Sequence, residues 1–544
     1  MSTTKVFLRG AAVLALATVI SKALGSVYTV LLQNMVGDLG MGLYNMAYPI
    51  YSSLLLISTA GFPVAVSKFV SEYVALGDLR TSQRIYRVSL VLLACIGFAG
   101  ALTLYALAPA FAQLSGDPRA VWAIRAIAPA LFVVPALSAM RGYFQGWQMM
   151  EPTGISQVVE QLVRVGTILV AASLALRWGF GAPIAAAGAA FGAVTGALAG
   201  LLVMLYFFWR QRRRGSNQAA PGHERADAGT VTLSYAQIMR KLLYYAVPVS
   251  LGALVIPVMS NVDAFTVTNL LKQGGLSQIL ATRDYGILSG RAFKLMMFPA
   301  ALASSIGVAL MPAVSEAHSL RHAEDTSARA LMGLRMTLLF ALPASVGLWL
   351  LARPIDVALF RDAAGYHSIQ ILGLATLFST VQIALAASLQ GLGAVYLPLR
   401  SLVFGVIAKV LLNFVLVPRF GIDGAAAATV GSYALAATLN FIALQRLLGL
   451  RTPWRMLLLK PLLATFVMSA FTFSLYVQWQ RWHVPVPARL GAAIVTVICV
   501  AVAGVIYLLA LLGAGGLMEG EVEAVPRIGR PLAGILRRLR LFPG

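Results

Sequence analysis

Residues 64–72 read VAVSKFVSE and residues 308–316 read VALMPAVSE, so Val-Ala and Val-Ser-Glu return at an offset of 244 positions. Two more pairs follow in order. Phe144-Gln145-Gly146 returns as Leu389-Gln390-Gly391 at 245, and Arg177-Trp178-Gly179 as Arg419-Phe420-Gly421 at 242. At 244, Gly42 also meets Gly286. One such match means little in so apolar an alphabet. Three in order at a nearly constant offset mark an internal duplication.

The 544 residues around these repeats are 59% hydrophobic and 11% charged, with a mean hydropathy of +0.82. Soluble domains carry about 25% charged residues. The chain is therefore predicted to be an all-α integral membrane protein. Fourteen apolar runs lie at about 10–32, 42–62, 86–109, 122–144, 155–176, 183–209, 246–271, 285–312, 330–351, 367–390, 396–417, 423–445, 457–478 and 488–513. Each approaches the roughly 20 residues that cross a bilayer. Their length and the lack of period-2 alternation argue against a strand barrel. The copies begin six spans apart, so both enter the membrane in the same direction. This predicts two six-helix lobes in a parallel repeat, residues 1–209 and 241–450, joined by a basic linker at 210–240. Two further helices in 451–515 and a basic tail at 516–544 complete the chain.

The net charge is +23. In a soluble protein this would suggest nucleic acid. In a membrane protein basic residues gather in cytoplasmic loops, and no nucleic-acid partner is expected. Even-numbered loops hold Lys68, Arg80 and Arg84, then Arg212-Arg213-Arg214, then Arg321 and Arg329, then Arg446, Arg451, Arg455 and Lys460. Both termini are then cytoplasmic. Lys5 and Arg9 before an apolar run mimic a signal peptide, but the run continues past Lys22 without a clear small-residue cleavage site, which reads as a retained first span. Cys95 and Cys499 both sit in apolar runs and form no disulfide framework.

There is no Walker A sequence, nucleophile elbow or zincin helix. The five histidines lie in or beside loops, without cysteine, so no metal or other cofactor is expected. Transport without an ATPase of its own is the natural reading, not enzymology. Charges inside spans are costly and face cavities or partners. Lys22 is deep in the first span, Arg291 and Lys294 are in the eighth, and Lys409 with Asn413 four residues on is in the eleventh. Glu160 and Arg164, also four apart, form a candidate charge pair in the fifth, which reads equally as a packing device. Asp263 sits in the seventh, two residues after Asn261. Five deep or partly deep cations (Lys22, Arg164, Arg291, Lys294, Lys409) against two acids suggest an interior that accepts an anion, phosphate above all. Tyr44, Asn45 and Tyr48 share one helical face and could add a polar lining.

Gly61-Phe62-Pro63-Val64-Ala65-Val66-Ser67-Lys68-Phe69-Val70-Ser71 resembles the stage V sporulation protein B family. So do Met140-Arg141-Gly142-Tyr143-Phe144-Gln145-Gly146, Glu151-Pro152-Thr153, and the run from Ser156 to Arg164. Ala408-Lys409-Val410-Leu411-Leu412-Asn413 extends the likeness, while the last two spans match in hydropathy alone. The family is related to the MurJ lipid II flippases within the multidrug/oligosaccharidyl-lipid/polysaccharide exporter superfamily. The resemblance implies a central cavity, alternating access, and an undecaprenyl-diphosphate substrate with a sugar–peptide head, lipid II first. It also implies membrane-lipid contacts and a bacterial inner-membrane location. Spans 1, 2, 7 and 8 line the cavity in such relatives, which would place Lys22, Arg291 and Lys294 there. Lys22 stands where relatives commonly carry arginine, and Tyr28 where many carry a second one. Some relatives bind sodium among spans 7, 11 and 12; here Asp263 would match and Lys409 would put a tethered cation in its place. The alternatives are an organic-cation exporter of the same superfamily, which calls for an acidic cavity, and a polytopic polysaccharide ligase or glycosyltransferase. The latter needs catalytic groups on a large outer loop, where the first outer loop offers little beyond Asp38.

Overall fold

The computed structural model describes residues 3–217, 234–449, 454–481 and 486–517, with Gly534 and Arg537 besides. The centre of the 210–240 linker, almost all of the 516–544 tail and the side chain of Lys22 lie outside the described residues. The described chain is helical throughout and divides into two compact units, Met1–Gly286 and Ile287–Gly544. The stretch 235–286 thus packs with the N-terminal helices, whereas the duplication places it in the second lobe.

Unit 1 holds α1 (Thr3–Thr59), α2 (Phe62–Ala75), α3 (Leu79–Ala106), α4 (Ala108–Leu114), α5 (Val121–Ile127), α6 (Ala130–Gly146), α7 (Met150–Arg177), α8 (Gly181–Asn217), α9 (Tyr235–Ala253), α10 (Val255–Gln273) and α11 (Gln278–Gly286). Unit 2 opens with a π-helical turn, Ile287–Ala292, and continues through α12 (Phe293–Ser319), α13 (Ala323–Leu350), α14 (Ala352–Phe360), α15 (Tyr366–Gly391), α16 (Tyr396–Leu448), α17 (Lys460–Arg481) and α18 (Ala488–Gly513).

Ten stretches of the described chain are long and apolar enough to cross a membrane. Two of the longest helices are hairpins. In α1, Gly37 has φ 69° and ψ 178°, and beyond it Tyr44 Oη returns to within 3.5 Å of Tyr28 Oη. A straight helix would separate these residues by roughly 24 Å. In α16, Gly421 has φ 60° and ψ −139°, and Ser432 Oγ donates to the Gly405 carbonyl at 2.8 Å. Both turns use the positive φ that glycine adopts without steric cost. Each hairpin supplies two crossings, as the paired apolar runs predict.

Candidate functional site: an arginine-rich knot beside a tyrosine wall

The charge pair expected on α7 is one part of a triad. Arg164 Nη2 donates to Glu160 Oε1 at 2.6 Å, and Arg141 Nη2, from α6, donates to Glu160 Oε2 at 2.8 Å. Arg141 also donates to Ser156 Oγ, which donates to the Gly200 carbonyl. One carboxylate therefore serves two guanidiniums, and the knot carries one net positive charge. The Nε atoms of both arginines are buried without a hydrogen-bond partner, although their side chains remain 14% and 21% exposed. Arg164 lies 14 residues into α7, roughly 21 Å along it, near mid-membrane depth.

Glycine lets the backbone reach this arrangement. Gly188, Gly192, Gly196 and Gly200 repeat every fourth residue along α8. A Cβ on Gly196 would stand 2.7 Å from both the Glu160 carbonyl and the Arg164 Cβ. Small residues at this spacing allow two membrane helices to approach at backbone distance. The α1 helix approaches α7 from another direction, with Thr18 Oγ1 bonded to Gln157 Oε1 and Ser21 Oγ to the Gln157 carbonyl, both at 3.4 Å. Along the same hairpin Tyr28 meets Tyr44, Tyr44 stacks on Tyr48 at 5.9 Å, and Tyr48 contacts Tyr51. Arg164 is within electrostatic reach of Tyr28, Tyr48 and Tyr51. Sequence spacing finds Glu160–Arg164 because both lie on one helix. It misses Arg141, which lies on another helix; its signals are its place inside the 122–144 apolar run and in the Met140–Gly146 motif.

The other sequence candidates are distributed as follows. Asn45 is buried, and its carbonyl accepts from Tyr285 Oη at 3.2 Å. Asp263, also buried, belongs to α10, where Asn261 Nδ2 donates to Ser53 Oγ at 2.6 Å. Lys409 and Asn413 are both 0% exposed, one turn apart on the first arm of α16 in unit 2. Lys294 is half-buried at the start of α12. Arg291, expected in a cavity, is 3% exposed, and its Nη1 donates to Asp356 Oδ1 at 3.3 Å and to Asp362 Oδ1 at 2.5 Å. The guanidinium also lies over the Phe360 ring at 5.2 Å. Burial pushes the Asp356 carboxyl up to about 6, against the opposing pull of Arg291 and the Gly365 N–H.

Unit 2 also contains a cavity of about 840 Å³ among α12, α13, α17 and α18. Its wall is almost wholly apolar, including Phe298, Met336, Phe340, Met468, Tyr507 and Leu511. Among the described residues, no group of three or more His, Cys, Asp or Glu side chains could hold a metal ion.

The polysaccharide biosynthesis protein family matches residues 7–318, and the MatE family matches residues 289–415. The chain is 33% identical over 554 aligned positions to the lipid II flippase MurJ of Bacillus subtilis (strain 168), covering 98% of each chain. It is 27% identical to stage V sporulation protein B of the same organism, covering 96% of this chain and 98% of that one. In fold it is similar to a lipid II flippase MurJ in an inward closed conformation. That match has a TM-score of 0.65 and 13% identity, over 91% of this chain and 97% of the other. An inward-facing multidrug MATE transporter matches with the same TM-score, over 79% of this chain and 94% of that one.

Proposed function

The chain belongs to the polysaccharide biosynthesis protein family and is a multi-pass membrane transporter rather than an enzyme; from that premise we propose that it is a flippase for an undecaprenyl-diphosphate-linked cell-wall precursor, lipid II first, in a bacterial inner membrane. Both termini would be cytoplasmic, and the two copies of the duplicated unit would be the halves that alternating access requires. The observation that carries the reading is the Arg141–Glu160–Arg164 knot, which leaves one positive charge uncompensated by its own carboxylate. A site for organic cations would carry the opposite excess. A polar head must cross about 30 Å of hydrocarbon. A diphosphate can exchange water for guanidinium contacts worth about 1.5–3 kcal/mol each. Lys22 is the proposed additional cation beside the knot, with Tyr28 and Asn45 as polar lining, and Lys294 is a further cation proposed on unit 2.

The apolar cavity of unit 2 suits the prenyl tail of the same substrate, at about 0.8 kcal/mol for each methylene buried. It involves the two helices that lie outside the duplication. For coupling, Lys409 beside Asn413 would be a tethered cation in place of sodium, so transport should not require a sodium gradient.

Binding to purified protein tests the reading, with undecaprenyl diphosphate and tetraphenylphosphonium as opposed probes. Diphosphate lipid should bind and the organic cation should not. Arg164→Ala leaves Glu160 paired with Arg141, and should weaken lipid binding about tenfold or more, the equivalent of about 1.4 kcal/mol. Unchanged affinity in folded Arg164→Ala, or a preference for the cation, would overturn it.

A further inference from the structure

The connection between α4 and α5 carries a buried aspartate that the proposed substrate site does not use. Asp117 is 0% exposed. Its Oδ1 accepts from Arg119 Nε and Gln278 Nε2, both at 3.0 Å, and its Oδ2 accepts from Arg119 Nη2 and Thr282 Oγ1, both at 2.7 Å. The loop makes two more bonds to the same partner region. Lys272 Nζ donates to the Gly116 carbonyl and Asn269 Nδ2 to the Leu114 carbonyl, both at 2.7 Å. Nearby, Gly42 lies against the Thr282 carbonyl and Gly286 against that of Asp38, so closely that neither position has room for a Cβ.

These bonds join different copies of the duplication. Asp117 belongs to the first copy, whereas Asn269, Lys272, Gln278 and Thr282 belong to the second by the 244-residue offset. In the orientation set by the basic loops, residues 114–119 and 272–278 both lie on the non-cytoplasmic side. Alternating access moves one copy against the other, so bonds joining them at one membrane face cannot persist through the cycle.

We propose that loop 114–119, anchored by Asp117, is a latch that holds α10 and α11 and keeps the transporter shut at its outer face, opening once in each cycle. Its chemistry suits repeated opening. Its partners on α10 and α11 are the neutral side chains of Asn269, Gln278 and Thr282 together with the partly exposed Lys272, and Arg119, still 31% exposed, stays with Asp117 when the loop departs. Water at the membrane surface can replace each lost bond, so opening strands no isolated charge in hydrocarbon. The segment released, Gln278–Gly286, has nine residues, and the π-helical turn that follows it gives a place to bend.

The inference rests on the transporter reading but not on any particular substrate, and its test needs no substrate. Ser115, in the latch loop, is 0% exposed and its hydroxyl has no hydrogen-bond partner. Ser115→Cys, in a chain with Cys95 and Cys499 replaced, therefore places a small buried reporter thiol there. A membrane-impermeant maleimide is applied to intact cells. The reporter should label slowly in the otherwise unaltered chain, at least tenfold faster with Asp117→Asn, and about threefold faster with Thr282→Val. The valine removes one hydrogen bond without altering charge, so it reports even if the asparagine variant folds poorly. Labelling by both folded variants at the parent rate would overturn the latch.

Discussion

Asp117 and Asp362 are the same position in the two copies of the duplication, and they do different work. Leu114-Ser115-Gly116-Asp117 aligns with Leu359-Phe360-Arg361-Asp362 at an offset of 245. Each aspartate follows a left-handed residue, Gly116 with φ 86° and Arg361 with φ 73°. Each carboxylate also accepts the backbone N–H two residues on. The first loop grips α11 through neutral partners, Gln278 and Thr282. The second grips Arg291, just beyond, with Asp356 assisting. The difference teaches how one loop design yields two mechanical parts. Neutral bonds at a surface can open and close. The buried Arg291–Asp356 pair cannot be parted cheaply, because the guanidinium and the Asp356 carboxylate left behind would each be a charge with little water, although Asp362 is itself half exposed. The Asp117 loop thus suits a moving contact and the Asp362 loop a fixed one.

The largest expected effect follows from that contrast. Arg291→Ala should lower stability by about 3–5 kcal/mol, as removal of one partner of a buried ion pair does. Adding Asp356→Asn should restore part of it. Asp117→Asn keeps much of its hydrogen bonding and should cost less. Thermal unfolding in detergent reads both, and equal losses would break the comparison.

The pH response should have opposite signs in the two loops. Asp356 titrates near 6 in the folded protein, above the ordinary carboxyl value of 3.8. Between those values the folded state holds the extra proton, so stability falls as pH rises through this window and levels off above it. The unfolding midpoint should therefore rise as pH drops from 7 to 5, and Asp356→Asn should flatten that rise. Asp117 differs. Burial would raise its carboxyl, but the hydrogen bonds from Arg119 and Thr282 outweigh burial and hold it below 3.8. Its contribution is complete above that value and is lost only in stronger acid. Asp117→Asn should leave the pH 5–7 slope unaltered.

A smaller effect tests the shared backbone. Arg361→Gly should stabilise the second loop by about 1 kcal/mol, because glycine relieves the left-handed conformation. Gly116→Ala should cost a similar amount, with its Cβ placed 2.8 Å from Asn269 Oδ1. Smallest of all, a Gly/Ser stretch in place of residues 215–230 should leave complementation intact, since that segment is polar and carries no motif.

Much of the fold is legible in the sequence because the bilayer imposes a length on every crossing, and the repeat dates from before the two copies diverged. The hairpin turns at Gly37 and Gly421 fall between apolar runs, where they are expected. The division between compact units at Gly286 is not legible, since it depends on which faces of α9, α10 and α11 pack against neighbours. Within the site, the i, i+4 rule identifies Glu160 and Arg164 but not Arg141, which approaches from another helix. Arg291 is recognised as an intramembrane cation, yet its acidic partners lie 65 and 71 residues away in sequence. No local pattern links an arginine to carboxylates so distant.

The measurement closest to the central claim is head-group translocation by purified protein in liposomes containing fluorescently tagged lipid II. The tag is quenched from one side while folding is monitored in parallel. Unaltered protein should move the head group across the bilayer without a sodium gradient, and folded Arg164→Ala should be at least tenfold slower. No protein-dependent movement of lipid II, with active movement of an organic cation instead, would contradict the account.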